Sequence, residues 1–168
     1  MNRYSCIVLF TFLLSACAAQ PPATGEAAET IAVAPVLTSE NGMVAAAHPL
    51  AARAGAEMLH KGGNAVDAAI AVSLALGVVE PYASGIGGEG YMVAVMADGR
   101  EVAIDFRSTA PALANYANLD AAGGLGEVRY TPKGHCIAGV PAGISEALKL
   151  ARLPLGVLAA PAIRLAEE

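Results

Sequence analysis

Between Asn64 and Glu80 the chain runs Ala65-Val66-Asp67-Ala68-Ala69-Ile70-Ala71-Val72-Ser73-Leu74-Ala75-Leu76-Gly77-Val78-Val79, with Asp67 and Ser73 its only polar side chains. Asn64 is a good N-cap, and Asp67 falls at N3, where a carboxylate meets exposed amides and the positive end of the helix dipole. Glu80-Pro81 ends the segment. A helix that is apolar on every side is expected to be buried on every side. Whatever fold this chain adopts must therefore pack other layers around that helix.

The flanking sequence suggests those layers. Met43–Ala47 is a short apolar run expected to form a buried strand. His48-Pro49 opens a helix, since proline is accepted in a first turn, and Leu50, Ala54 and Met58 follow at helical spacing. Lys61 sits in its last turn, and Gly62-Gly63 supplies a left-handed stop. Downstream, Tyr91–Ala97 and Arg100–Phe106 flank Asp98-Gly99, a strong hairpin signal because both turn residues accept positive φ. The first of these strands is apolar on both faces, which predicts a sheet covered on both sides. Residues 116–126 are Gly-rich and read as a loop. Ile144–Arg152 and Leu155–Glu167 read as helices, the second interrupted near Pro161. The fold class is mixed α/β.

Composition narrows the function classes. The chain has 168 residues, 55% apolar and 15% charged, which excludes a disordered chain and allows one domain at most. With 5% aromatics, no tryptophan, a net charge of −5 and no run of Lys or Arg, it carries no footprint for nucleic acid. Its many Ala and Gly bury little area per residue, so a stable core is expected to need more chain or a partner.

The N-terminal part is an address followed by a tether. Arg3 precedes the apolar run Ile7–Leu14, which is too short to span a bilayer and reads as a secretory signal peptide over residues 1–16. Leu14-Ser15-Ala16-Cys17 resembles a bacterial lipobox, in which the Cys17 thiol is acylated before cleavage. The alternative is an ordinary secretory signal with Cys17 incidental. Acylation would anchor the chain in the cell envelope, facing the periplasm or exterior. Residues 17–41, with Pro21-Pro22 and no Lys or Arg, form a flexible tether, and the folded body spans 42–168. Cys6 leaves with the signal, so Cys136 would be the one thiol remaining and no intrachain disulfide could form.

Several motifs invite chemistry. Gly85-Ile86-Gly87-Gly88-Glu89-Gly90 matches G-x-G-x-x-G, but a dinucleotide site needs strand, loop, then helix. Here the order is helix, loop, strand, so the loop reads as a place of close backbone approach. Ser84 lies outside a G-x-S-x-G elbow. His48, His60 and His135 have no metal-ligand spacing, and Cys136 reads as a small, semi-buried thiol. Arg107, at the end of an apolar strand, could take a carboxylate in a bidentate fork. Spacing alone places it first in an ion pair with Asp105 or another acid.

Resemblance adds a lineage. Gly62-Gly63-Asn64-Ala65-Val66-Asp67-Ala68-Ala69, Ser84–Tyr91, Ala103–Pro111, Gly139-Val140-Pro141 and Leu158–Glu168 together strongly resemble the γ-glutamyltransferases, or glutathione hydrolases, over roughly residues 42–168. The resemblance implies an N-terminal-nucleophile hydrolase with an αββα sandwich, of which this chain is an incomplete part. Its members cut themselves into two subunits, and the small subunit's N-terminal Thr is the nucleophile, with its own amine as base. They pass the γ-glutamyl group of glutathione or a related amide to water or an amino acid, without metal or organic cofactor. The arginine of the Asp-Phe-Arg motif, here Arg107, grips the α-carboxylate.

The chain departs from the family in three ways. Glu89 stands where many relatives have glycine. The stretch between Gly139-Val140-Pro141 and Leu153-Pro154-Leu155 is shorter. The Thr-headed small subunit is missing, and neither Thr109 nor Thr131 is placed to replace it. By itself the chain is therefore expected to be inactive: the γ-glutamyl-binding part of a truncated enzyme, one half of a split enzyme awaiting a small-subunit chain, or a lipid-anchored binding protein without catalysis.

Overall fold

A computed structural model describes residues 38–168 apart from Ala122 and Tyr130, and of Leu125 the backbone alone. The signal segment, Cys17 and most of the tether lie outside the described residues.

Helix α1 covers Pro49–His60, with Nδ1 of the N-cap His48 accepting the Leu50 N–H at 3.2 Å. Gly62 at φ 84° carries the chain out of it, as the Gly-Gly stop predicts. Helix α2 covers Ala65–Val79 and opens on a full capping box. Asn64 Oδ1 accepts the Val66 and Asp67 amides at 2.8 and 3.1 Å, and Asp67 Oδ2 accepts the Asn64 N–H at 2.7 Å. Strands β1, Gly90–Val95, and β2, Glu101–Phe106, pair antiparallel with Gly90 opposite Phe106 and Val95 opposite Glu101. Asp98-Gly99 turns the hairpin, Gly99 at φ 83°. Short helices α3, Tyr116–Ala121, and α4, Leu125–Val128, and a 3₁₀ turn at Pro132–Gly134 lead to α5, Val140–Ala147, and α6, Leu155–Glu167.

Helix α2 packs against both α1 and α6, while α5 rests on the hairpin. Met58, Val66, Ile70, Ala71, Ala147 and Leu158 form the core, onto which Met92, Ala94, Met96 and Ile104 pack from one face of the sheet. Met58 and Leu158 are wholly buried, each contributing roughly 2–3 kcal/mol of transfer free energy.

The sheet's other face is bare. Tyr91, Val93 and Val95 are 64%, 81% and 71% exposed, so the expected two-sided cover is one-sided among the described residues. Helix α2 is likewise not buried all round, because Ala65, Ala69 and Ser73 form an exposed stripe at i, i+4 spacing. Met43–Ala47 pairs in no strand. Where a loop was expected over 116–126, α3 and the start of α4 stand.

The first C-terminal helix begins at Val140 and ends at Ala147, rather than running from Ile144 to Arg152. Beyond it the Lys149, Leu150 and Ala151 amides donate three residues back, to Glu146, Ala147 and Leu148, and tighten into a turn. Helix α6 continues through Pro161. Pro161 is buried beside Leu158 and Ala162, and that packing offsets the one backbone bond proline cannot make.

The long excursion after β2 returns to the strand's end. Thr109 and Ile137 exchange backbone bonds at 3.1 and 2.8 Å, and the Gly139 and Val140 amides both donate to Gly88 O, at 3.0 and 3.2 Å. A Cβ at Gly139 would collide with the Phe106 carbonyl, so glycine is required for this approach.

Candidate functional site

This return sets the Gly-rich loop, the end of β2 and the start of α5 side by side. The loop, Ser73, Leu76, Tyr91, Phe106 and Val140 line a cleft between α2 and the hairpin. The order helix, loop, strand holds, and the loop feeds β1 rather than a helix N-terminus.

Arg107 follows β2 directly. Tyr91 and Asp105 are register partners, which brings the tyrosine ring and Arg107 to the same exposed edge. The guanidinium carbon lies 5.9 Å from the Tyr91 ring centroid, within cation–π range. Asp105 Oδ1 accepts the Arg107 backbone N–H at 3.0 Å, which fixes the turn out of the strand. The acid that meets the guanidinium is Glu89. Arg107 Nη2 donates to Glu89 Oε1 at 3.2 Å, with the two side chains 57% and 40% exposed. Glu89 Oε2 accepts the Ser108 N–H at 2.8 Å and the Ser108 hydroxyl as well.

The charges respond to these contacts. The Ser108 hydroxyl, then its amide, then Arg107 hold the Glu89 carboxyl below its ordinary pKa. Tyr91 first, and Glu89 next, raise the Arg107 pKa above the ordinary arginine value. Spacing allowed Arg107 an ion pair with Asp105 or another acid, and the acid that pairs with it is Glu89 rather than Asp105. Its sequence signal was present: Glu89 is the one charged residue of the Gly-rich loop. The part played by Ser108 had no signal beyond its place after Arg107.

The remaining candidates are dispersed. His48 caps α1, His60 is exposed at its end, and His135 Nδ1 lies 3.0 Å from Pro132 O. Cys136 is exposed rather than semi-buried. The Thr131 hydroxyl donates to Val128 O at 2.9 Å, and Thr109 is held in its bridge to Ile137. Ser84 is half-buried, its N–H donating to Glu80 O at 3.0 Å. Among the described residues, no three His, Cys, Asp or Glu side chains group as a metal ion would require.

Comparison with known proteins settles the lineage. The Gamma-glutamyltranspeptidase family matches residues 51–168. The chain belongs to the γ-glutamyltranspeptidase family. It is 45% identical over 137 residues to the Glutathione hydrolase proenzyme of Pseudomonas sp. strain A14, covering 77% of this chain and 23% of that protein. The Helicobacter pylori γ-glutamyltranspeptidase structure superposes with a TM-score of 0.71 at 38% identity, over 79% of this chain and 39% of that one. A cephalosporin acylase from Bacillus halodurans also gives 0.71, at 36% identity, over 80% of this chain and 26% of its own. The chain thus spans about a quarter of the length of the γ-glutamyltranspeptidase family proteins it matches in sequence. Its mixed α/β fold resembles theirs, with a two-stranded sheet among the described residues.

Proposed function

We propose that this chain is the acyl-binding part of an enzyme that hydrolyses or transfers γ-glutamyl groups from glutathione and related amides. The observation that carries the reading is Arg107: a guanidinium at a rigid strand end, beside a cleft, in a chain of this family. Arg107 takes the substrate's α-carboxylate in paired hydrogen bonds. The nucleophile is the N-terminal Thr of a small subunit, from the portion of the relatives that this chain does not span. Its hydroxyl attacks the γ-carbonyl and its amine accepts the proton. The leaving amine departs protonated, and the γ-glutamyl ester then passes its acyl group to water or an amino acid. No metal or cofactor takes part. The bare face of β1 and β2 is where the facing sheet of an αββα sandwich would pack.

The test is steady-state kinetics of the chain co-produced with a Thr-headed small subunit of the family, using a γ-glutamyl anilide. The chain alone should turn over nothing, because binding geometry without a nucleophile supplies no covalent step. In the pair, Arg107→Ala should lower kcat/KM by about 30-fold or more. Arg107→Lys should recover part of it, since an ammonium cannot reproduce the fork. An Ala variant within about threefold of wild type returns Arg107 to a structural ion pair.

We also propose that Cys17 is acylated and holds the protein at the bacterial envelope, a reading supported by Leu14-Ser15-Ala16-Cys17. Cys17→Ala should leave an uncleaved precursor in cell fractions. Normal maturation to a soluble product would refute it.

A further inference from the structure

Glu89 places a carboxylate among the donors that a substrate carboxylate needs. A guanidinium N–H, a backbone N–H and a hydroxyl converge on it from Arg107 and Ser108. That combination is what a free carboxylate requires, since an ionised carboxyl is acceptor-only and is best held by charge-assisted and amide donors. Both sides of the contact are anchored. Gly88 receives the Gly139 and Val140 amides, and Gly90 opens β1 opposite Phe106, so Glu89 sits between two tied residues. Across from it, Asp105 holds the Arg107 backbone and Tyr91 lies against the guanidinium. Glu89 also lines the cleft between the loop, α2 and β1. An exposed ion pair alone stabilises little. Here one carboxylate engages three donors on its two oxygens, and a second carboxylate at the same donors would meet like-charge repulsion.

We propose that Glu89 is a specificity-determining residue, a resident carboxylate that occupies the Arg107–Ser108 seat and must be displaced by any acyl group bearing its own carboxylate. The proposal rests on the reading of Arg107 as the carboxylate grip. Its consequence is a site that discriminates against carboxylate-bearing acyl groups more strongly than one with glycine in the loop. The Ser108 hydroxyl and amide, with Arg107, hold the Glu89 carboxyl below its ordinary pKa, which favours the charged form that these donors bind.

The experiment titrates the full chain with L-glutamine and with 4-aminobutanamide, two γ-amides that differ by the α-carboxylate, following amide shifts by NMR. Glu89→Gln keeps the size, Glu89→Gly makes an unbroken glycine run from Gly87 to Gly90, and circular dichroism checks that each is folded. Both variants should bind L-glutamine about tenfold tighter than wild type, the lower range for charge-assisted bonds at an exposed site. Their affinity for 4-aminobutanamide, a cation without the carboxylate, should not rise. Arg107→Ala should remove the preference for L-glutamine in every background. If Arg107→Ala removes binding while the Glu89 variants bind L-glutamine no tighter than wild type, Glu89 is not the occupant and the Arg107 reading stands. Should Arg107→Ala bind L-glutamine as wild type does, or no variant bind it, the Arg107 reading fails and takes this proposal with it.

Discussion

Asp67 is the one buried charged side chain among the described residues. Besides capping α2, it accepts the Arg152 N–H at 3.1 Å on each oxygen and the Leu153 N–H at 2.9 Å, while Asn64 Nδ2 donates to Leu150 O at 2.8 Å. A helix cap is thus also the clamp that holds the turn between α5 and α6 against α2. Asp67→Ala would leave three backbone amides without their acceptor and open a small void. It should cost about 3 kcal/mol, against about 1–2 for an ordinary cap loss. Urea unfolding of wild type, Asn64→Ala and Asp67→Ala checks this, and an Asp67→Ala midpoint at the wild-type value would mean that the clamp contributes nothing. The cap was legible because Asn64 and Asp67 stand three apart. The clamp was not, since its amides lie 85 residues along the chain.

Among the elements, α1 and α6 are joined through Glu57. Its Oε1 accepts from Lys61 Nζ at the C-cap of α1 at 2.7 Å, and its Oε2 accepts from Arg164 Nη2 of α6 at 2.7 Å. The Lys61 bond first, with Arg164 adding to it, holds the Glu57 carboxyl below its ordinary pKa. A folded-state pKa depressed in this way contributes stability that is present above the unfolded-state value, about 4.3 for Glu. That stability is lost as pH falls through the folded value. The gap in Tm between wild type and Glu57→Gln should therefore be widest above about pH 5 and shrink through the acid range. A gap that stays constant to pH 2.5 would assign it to packing. The Glu57–Lys61 pair is readable from i, i+4 spacing. Its bond to α6 depends on how two helices dock, and Pro161, which reads locally as an interruption, lies within that docked helix.

At the scale of the described residues, the hairpin is covered on one side. Helices cover the inner face of the hairpin, whereas Tyr91, Val93 and Val95 stand open in a row on the outer one. An exposed apolar row on a two-stranded sheet invites association. Sedimentation should show the chain self-associating at micromolar concentration, and a Val93→Lys/Val95→Lys double variant should stay monomeric with stability within about 0.5 kcal/mol of wild type. Equal association of the two proteins would put the adhesive surface elsewhere. When paired with a small subunit the sign should reverse, the double variant assembling poorly.

The sequence by itself determined what depends on neighbours in the chain: the starts of α1 and α2, the glycine stop, the Asp-Gly hairpin, the loop-before-strand order that removes a dinucleotide site, and the family. Each follows from the backbone preferences of a few adjacent residues. Tertiary structure decided the rest: which acid meets Arg107, which amides Asp67 holds, and which face of β1 lies bare. Those outcomes depend on where distant segments come to rest. Glu89 and Arg107 are 18 residues apart and meet because β1 and β2 pair in one register. Alternation within β1 shows two apolar faces, and only packing distinguishes the one against the helices from the one left open.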